Sequence, residues 1–419
     1  MPFFARFRYW LTHTEYSRLA RNASWLSLGH VANYLLPLLT LPYLSRTLGP
    51  LYFGWVLMAQ SVMMYLSLIT DYGFNLSATK DIAENRSNPA AVSQIVSTVL
   101  VIKGTLLIIS AAILVGLVYA IPAFYEHRAL LFLSFLLVVG STFFPTFIFQ
   151  GLEKMSVITV MTIAAKGLFT LFIFMHIQSP SDYSHVHALW GLSYIIVDIC
   201  ALAYSHYRCH ITLTWPRLRD IVQMATTRFD YFLSRIAIAL YLNSNVLLIG
   251  LWLHPIQAGM YGGAEKLLFA ITTFYTPLIE TLYPYISRTK NADLGKKILV
   301  IAVCINTLGC LAVYGLAPYL LPLILGDSFT DAVPLFRIML IIAVLHLPSG
   351  IIGYPLLGAM GHTAIANRSV IIGAIGHMLA IVITYPYLTS PLGFIAITIG
   401  SQLTILGIRV VAMYRYRLV

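Results

Sequence analysis

The sequence predicts an all-α integral membrane protein: 12 transmembrane helices in two six-helix lobes around a central cavity, with both termini cytoplasmic. Three observations predict it. Long apolar blocks fill the chain of 419 residues from end to end. The composition is 59% hydrophobic and 10% charged, with a mean hydropathy of +0.83. Lys and Arg fall almost entirely in alternate gaps between the blocks. A hydrocarbon core of ~30 Å needs about 20 apolar residues per helix. In lipid every backbone polar group must be satisfied internally, so apolar blocks of this length are helices. The short alternating segments of a membrane barrel are not seen.

The blocks follow in order, and their flanks set the orientation. The first, 23–45, comes after a tail bearing Arg6, Arg8, Arg18 and Arg21. Arg46 alone precedes the second, 53–70. Lys80 and Arg86 precede 93–119, and Arg128 precedes 129–149. Lys154 lies before 156–177, and no basic residue lies before 186–207. Arg208, Arg217, Arg219 and Arg228 fill the gap before 231–252, and none falls before 260–286. Arg288, Lys290, Lys296 and Lys297 lead into 297–321, with none before 332–354. Arg368, at the very start of 366–386, is counted with the gap before it; 393–413 follows, and Arg409, Arg415 and Arg417 close the chain. Nineteen of the 26 basic residues thus share one side, and two lie on the other. Short cytoplasmic loops carry the excess of Lys and Arg, so that side is cytoplasmic.

This distribution explains the net charge of +11 as topology and attraction to anionic headgroups. A nucleic-acid partner is excluded, because no basic soluble domain exists to host one. Residues 1–22 are too polar, and the first block too long, for a cleavable signal peptide. Cys200, Cys209, Cys304 and Cys310 form no CxxC and are read as small hydrophobes. His185 and His187 lack a third ligand nearby, so no metal site is predicted. No phosphate-binding lysine motif, large loop or acidic pair is present. That speaks against an internal ATPase and against a membrane-bound glycan enzyme.

The chain divides into an N-terminal lobe, 1–207, a basic cytoplasmic linker, 208–230, and a C-terminal lobe, 231–419. An internal echo supports the division. Leu48-Gly49-Pro50 with Gly54 and Gln60 recurs as Leu253-His254-Pro255 with Gly259 and Glu265, at a constant offset of 205. Both stretches join the first two helices of a half. Six helices per half give both halves the same orientation, a parallel repeat with a site expected at the interface.

Ionisable groups at membrane depth usually face a cavity or a partner. Lys103, Lys166, Arg235, Lys266 and Arg337 are candidates for a cationic, substrate-binding cavity, with snorkelling as the alternative reading. Glu265, Asp198 and Glu280 are candidates for binding a coupling cation or proton, or for structural ion pairs. On one continuous helix Glu265 and Glu280, 15 residues apart, would differ by about 60° and share a side. His30 and His377 are read as hydrogen-bonded packing residues. Pro37 and Pro42 in the first helix and Pro277 and Pro284 in the eighth are hinge candidates, static curvature being the alternative. Tyr34 and Tyr43 are candidates for stacking on sugars.

Four stretches carry a family resemblance: Leu48-Gly49-Pro50 through Phe53-Gly54; Asp71-Tyr72-Gly73-Phe74-Asn75-Leu76-Ser77-Ala78-Thr79-Lys80-Asp81-Ile82-Ala83; Phe149-Gln150-Gly151-Leu152-Glu153-Lys154-Met155; and Gly259-Met260-Tyr261 with Ala264-Glu265-Lys266. The chain resembles the polysaccharide transporters of the multidrug/oligosaccharidyl-lipid/polysaccharide exporter superfamily, specifically the Wzx-type O-antigen flippases. The resemblance implies movement of an undecaprenyl-pyrophosphate-linked oligosaccharide from the cytoplasmic to the periplasmic leaflet of the bacterial inner membrane. It implies no catalysis and no cofactor, with Na+ or H+ as the coupling ion to be identified. The implied partners are the lipid-linked oligosaccharide, the bilayer, and the polysaccharide polymerase and chain-length machinery. The cationic residues fit an anionic pyrophosphate that cannot cross hydrocarbon unaided. The alternatives are a drug or small-solute antiporter of the same superfamily and an integral-membrane glycan enzyme.

Overall fold

The structure, a computed structural model, describes the backbone of residues 14–227, 232 and 243–416, with side chains from residue 36 onward except residue 38. Arg235, a predicted cavity residue, lies outside the described residues, as do the side chains of His30 and Tyr34. The described chain is predominantly helical, with no strand among the described residues. Nine of its helices are long and apolar enough to cross a membrane.

A continuous helical stretch, Thr14–Asp71, is two helices. Gly49 departs from helical torsions, with φ 64° and ψ 172°. An L side chain seldom adopts such a φ, so only glycine turns the chain here without strain. The stretch thus splits into α1 (14–48) and α2 (50–71). Pro37 and Pro42 lie inside α1, whose backbone keeps helical torsions through both.

Short α3 (Phe74–Glu84) leads to α4 (Pro89–Ala120). Asn88 Oδ1 accepts from Ala91 N at 3.2 Å and Pro89 fills the first turn, a strong helix start. There follow α5 (Pro122–Glu126), α6 (Arg128–Phe143), α7 (Thr146–Gly151) and α8 (Met155–His176). A turn over Pro180–His185, closed by Asp182 bonding back to Ser179 N at 2.8 Å, feeds α9 (Val186–Cys209). Hydrogen bonds from the Ser179 hydroxyl and from the backbone N–H groups of Ser179 and Gln178 hold the Asp182 carboxyl below its ordinary pKa. Next come α10 (Leu218–Thr227) and α11 (243–252).

The later helices are α12 (Pro255–Phe274), α13 (Thr276–Thr289), α14 (Ala292–Leu325), α15 (Val333–Ile351), α16 (Thr363–Thr384) and α17 (Pro391–Arg415). A π-helical turn, Ile352–Gly358, extends α15; Pro355 within it has no N–H to continue the regular ladder.

One expectation is corrected. The eighth apolar block is not one helix: it breaks at Tyr275, where α12 ends and α13 begins. Pro277 sits in the first turn of α13 and Pro284 inside it. The shared-face argument for Glu265 and Glu280 fails, because 100° per residue does not carry across a break.

The chain forms two compact units, one of residues 1–41 and 62–235, the other of 42–61 and 236–419. In the first, Phe74, Ile82, Val96, Val99, Phe147 and Phe149 build a core from α3, α4 and α7, joined by α8 and α9. In the second, Leu282, Ile286, Leu347, Ile351 and Leu356 build one from α13, α15 and the π turn, joined by α17.

Candidate functional site

The first unit buries two charges of opposite sign. Lys103 on α4 is 1% exposed. Its Nζ donates to Thr142 O on α6 at 3.0 Å and stands 5.3 Å from the Phe147 ring centre. Asp198 on α9 is 4% exposed. Neither of its carboxylate oxygens has a hydrogen-bond partner among the described residues. Lys103 is near enough to act on it electrostatically. A buried ionisable group loses its compensation when a neighbour of opposite type is removed. Lys103→Met alone is therefore expected to lower thermal stability sharply. Adding Asp198→Asn is expected to return part of it, with a coupling of about 0.5–3 kcal/mol in a double-mutant cycle. Strict additivity would show that the two charges are independent. Lys166, on α8, is half-buried in the same unit.

The second unit holds a hydrogen-bonded chain. His377 on α16 is fully buried. Its Nε2 stands 3.1 Å from Asn245 Oδ1 on α11, and its Nδ1 3.1 Å from Ser401 Oγ on α17. Asn245 Nδ2 donates to Tyr261 OH at 2.9 Å and to Thr398 Oγ1 at 3.0 Å. The Tyr261 hydroxyl in turn bonds Glu265, one helical turn on. Lys266 interacts electrostatically with Glu265, and its Nζ lies 3.4 Å from Gln60 Oε1. Glu265, read from sequence as a coupling-ion ligand or an ion-pair partner, is thus the end of a polar chain that crosses four helices.

The internal echo has a counterpart in space. A Cβ on Gly54 would stand 1.9 Å from Pro255 O, and one on Gly259 would stand 2.0 Å from Pro50 O. The four residues pair reciprocally: each glycine meets the proline of the other copy, at the offset of 205. Such i-to-j and j-to-i contact is the mark of a two-fold relation. α2 and α12 cross backbone to backbone at this point, which only glycine permits.

The two longest motifs meet as well. Gly151, ending α7, packs so closely on α3 that a Cβ would stand 2.7 Å from Ile82 Cβ and 3.0 Å from Thr79 O. Arg86 Nη1 bonds Glu153 Oε1 at 2.7 Å beside them. These motif residues build a helix junction.

The remaining candidates lie apart. Arg337 donates Nε to Tyr314 O at 3.0 Å and covers the Tyr314 ring. Glu280 on α13 is exposed. His187 stands 3.0 Å from Ser134 Oγ, and no group of three metal-binding side chains occurs among the described residues. Arg409 reads in the sequence as part of the basic C-terminus, yet it is buried on α17. Its guanidinium donates to Ser349 O at 2.6 Å, Ser369 Oγ at 2.9 Å and Ala366 O at 3.1 Å. It ties α15 and α16 to α17 beside the π turn. Its place inside the apolar block 393–413 was the available signal.

Comparisons place this geometry among known proteins. The family described as "Polysaccharide biosynthesis protein" matches residues 19–290. A "Putative O-antigen transporter" of Escherichia coli (strain K12) is 30% identical over 316 residues, 75% of each chain. A protein of the same description from Shigella dysenteriae is 28% identical over 367 residues, 86% of this chain and 91% of that one. Among solved structures, the lipid II flippase MurJ in an inward closed conformation aligns with a TM-score of 0.69 at 10% identity, covering 92% of this chain and 87% of the other. An inward-facing multidrug resistance MATE transporter of the MOP superfamily aligns at 0.66 and 14% identity, covering 95% and 98%. The structural likenesses show the fold: an all-helical, multi-pass membrane architecture.

Proposed function

The chain belongs to the polysaccharide biosynthesis protein family, and from that premise we propose that it flips undecaprenyl-pyrophosphate-linked O-antigen oligosaccharides across the bacterial inner membrane. The observation that carries the reading is the similarity to O-antigen transporters along most of the chain. It is a non-enzymatic carrier, driven by alternating access and coupled to an ion. Twelve helices in two six-helix lobes, divided by the linker at 208–230, enclose a cationic cavity, with both termini cytoplasmic. Polysaccharide polymerase and chain-length proteins take up the product.

The physical need is clear. A pyrophosphate and a string of sugar hydroxyls are costly to desolvate in hydrocarbon. A polar path lined by cations lowers that cost, while the lipid tail stays in the bilayer. Lys166 is the sharper of the two deep lysines as a test. Half-buried, it can meet a substrate, whereas Lys103 is fixed within the fold. Lys166→Gln is expected to abolish surface polysaccharide with wild-type protein levels, and Lys166→Arg to retain part of it. Full activity of Lys166→Gln would remove Lys166 from the substrate path.

The experiment for the function is deletion and complementation, scoring surface O-antigen, followed by reconstitution in vesicles holding the lipid-linked oligosaccharide. Restored glycan and protein-dependent flipping are expected. Intact O-antigen in the deletion strain would sink the reading. The orientation is tested separately: reporter fusions after Arg86, Arg219 and Lys290 should report cytoplasm, and those near Ser184 and Gln257 periplasm. Opposite results at two of these sites would reverse the proposed direction.

A further inference from the structure

The segment between α9 and α10 is a strap with an unclaimed apolar edge. Residues 211–215 run along the start of α4. Thr212 N donates to Ser93 Oγ at 3.0 Å, and Thr214 N donates to Ser97 Oγ at 2.9 Å. The register is a physical match. Two residues of extended chain span about 6.6 Å, and four of helix about 6 Å. Downstream, Gln94 Nε2 donates to Asp220 Oδ2 at 2.9 Å, and Tyr72 OH donates to Ala225 O at 3.1 Å. The strap is thus pinned at four points within the first unit.

Its outward side is apolar. Trp215 is 90% exposed, and Leu213, Leu218 and Val222 are exposed with it. On α10, at 100° per residue, Val222, Leu218, Ala225, Ile221 and Met224 form one apolar arc of about 160°. Only one edge of that arc is used: Ile221 and Met224 pack on the first core. Leu218 and Val222 form the other edge. Arg219 stands about 60° beyond Val222, and Arg217 precedes the helix.

Depth identifies what covers this edge. α4 has 32 residues, so it is about 48 Å long. Centred on a ~30 Å hydrocarbon core, it projects about 9 Å at each end. Ser93 and Ser97 lie about 6 and 12 Å along α4 from Pro89, so they bracket the hydrocarbon boundary. The strap is fastened at the level where Trp is favoured and where Arg reaches phosphate. We infer that residues 211–222 are a membrane-surface anchor: Trp215, Leu218 and Val222 enter the acyl boundary, and Arg217 and Arg219 bind the phosphates of anionic phospholipids. An amphipathic helix with this division of faces lies in the interface plane, and its binding strengthens with anionic lipid. The inference rests on the membrane reading alone and needs no substrate.

The test uses the purified full chain in lipid nanodiscs. Trp215 is so exposed that Trp215→Phe leaves the packing intact. The difference between wild-type and Trp215→Phe emission therefore isolates Trp215 from the other five tryptophans. Brominated lipid is expected to quench that difference signal roughly twofold or more in phosphatidylglycerol-rich discs, and less in purely phosphatidylcholine discs. Arg217→Gln with Arg219→Gln is expected to erase the dependence on lipid charge. Leu218→Ser with Val222→Ser is expected to weaken quenching in both lipids. An unquenched, water-like Trp215 signal in anionic discs would overturn the anchor and point to a protein partner for this edge. Equal quenching in both lipids would overturn the binding of anionic phosphate. Neither result bears on O-antigen flipping, which is read by other assays.

Discussion

Gly54→Val and Gly259→Val are each expected to reduce surface polysaccharide to the level of a deletion strain, although each adds only one small side chain. A Cβ at these positions would stand 1.9 and 2.0 Å from the carbonyl oxygens of Pro255 and Pro50. Carbon normally approaches such an oxygen no closer than ~3.3 Å. α2 and α12 would have to part by more than 1 Å, roughly a third of that distance. Neither obstacle is a side chain that could swing away; both are backbone at the first turn of a helix. Overpacking of this kind costs about 1–3 kcal/mol, which a membrane protein of this size can survive. The damage falls on the crossing itself. In a carrier that alternates between arrangements, any arrangement that needs the tight crossing loses population by the same factor. Gly104→Val is the control: on α4, nothing lies within 4 Å of its Cβ position. It should leave surface polysaccharide unchanged. Wild-type polysaccharide in both Gly54→Val and Gly259→Val would show that the close crossing is incidental to transport.

That crossing was partly legible. The offset of 205 between Pro50/Gly54 and Pro255/Gly259 is a one-dimensional pattern, and it marks two copies of one turn. It does not say that the copies touch. The apolar blocks were legible for the same reason: hydropathy is a local property, and helix covers nearly all of the described part of each block, with breaks at Phe144–Pro145 and at Tyr275. Torsion is not read from hydropathy. The break at Tyr275 lies in an unbroken apolar stretch, so Glu265 and Glu280 looked like one face and are on separate helices. Side-chain pairing is not local either. His377 reads as an isolated intramembrane residue, and its partners Asn245 and Ser401 are 132 and 24 residues away. Arg409 was hidden by its neighbours, since a charge near a basic terminus is easily assigned to the loop. α10 escaped because ten residues are too few for a spanning-helix pattern.

Glu265→Gln is expected to abolish flipping and its dependence on an ion or pH gradient in reconstituted vesicles, with expression preserved. The notion that Glu265 is a coupling group gains force from what it is joined to. Asn245 spends both amide hydrogens on Tyr261 and Thr398, so its oxygen faces His377 and must accept from Nε2–H. Ser401 Oγ lies 2.8 Å from Ile397 O as well as 3.1 Å from His377 Nδ1. Its single hydrogen can serve one of them. When it turns to Nδ1, His377 is neutral; when it turns to Ile397 O, Nδ1 can donate and His377 can be a cation. One hydroxyl rotation therefore accommodates either protonation state without a rearrangement of helices. Asn245 holds His377 and Tyr261 in place but, as an amide, passes no proton between them, so Glu265 and His377 titrate separately and are linked only through the orientation of the chain, with Lys266 beside Glu265. A cation arriving at this chain can drive transport only to the extent that it binds one arrangement better than the other. His377→Gln preserves hydrogen bonding but removes titration, so it separates two cases. Loss of pH dependence with residual flipping would make His377 a proton carrier. Unchanged pH dependence in His377→Gln, with flipping lost in Glu265→Gln, would confine coupling to the carboxylate. Wild-type flipping and unchanged gradient dependence in Glu265→Gln would reject coupling here. Glu265 would then be a structural partner of Lys266, and Asp198, the other acid at membrane depth beside a lysine, would be the group left to carry the ion.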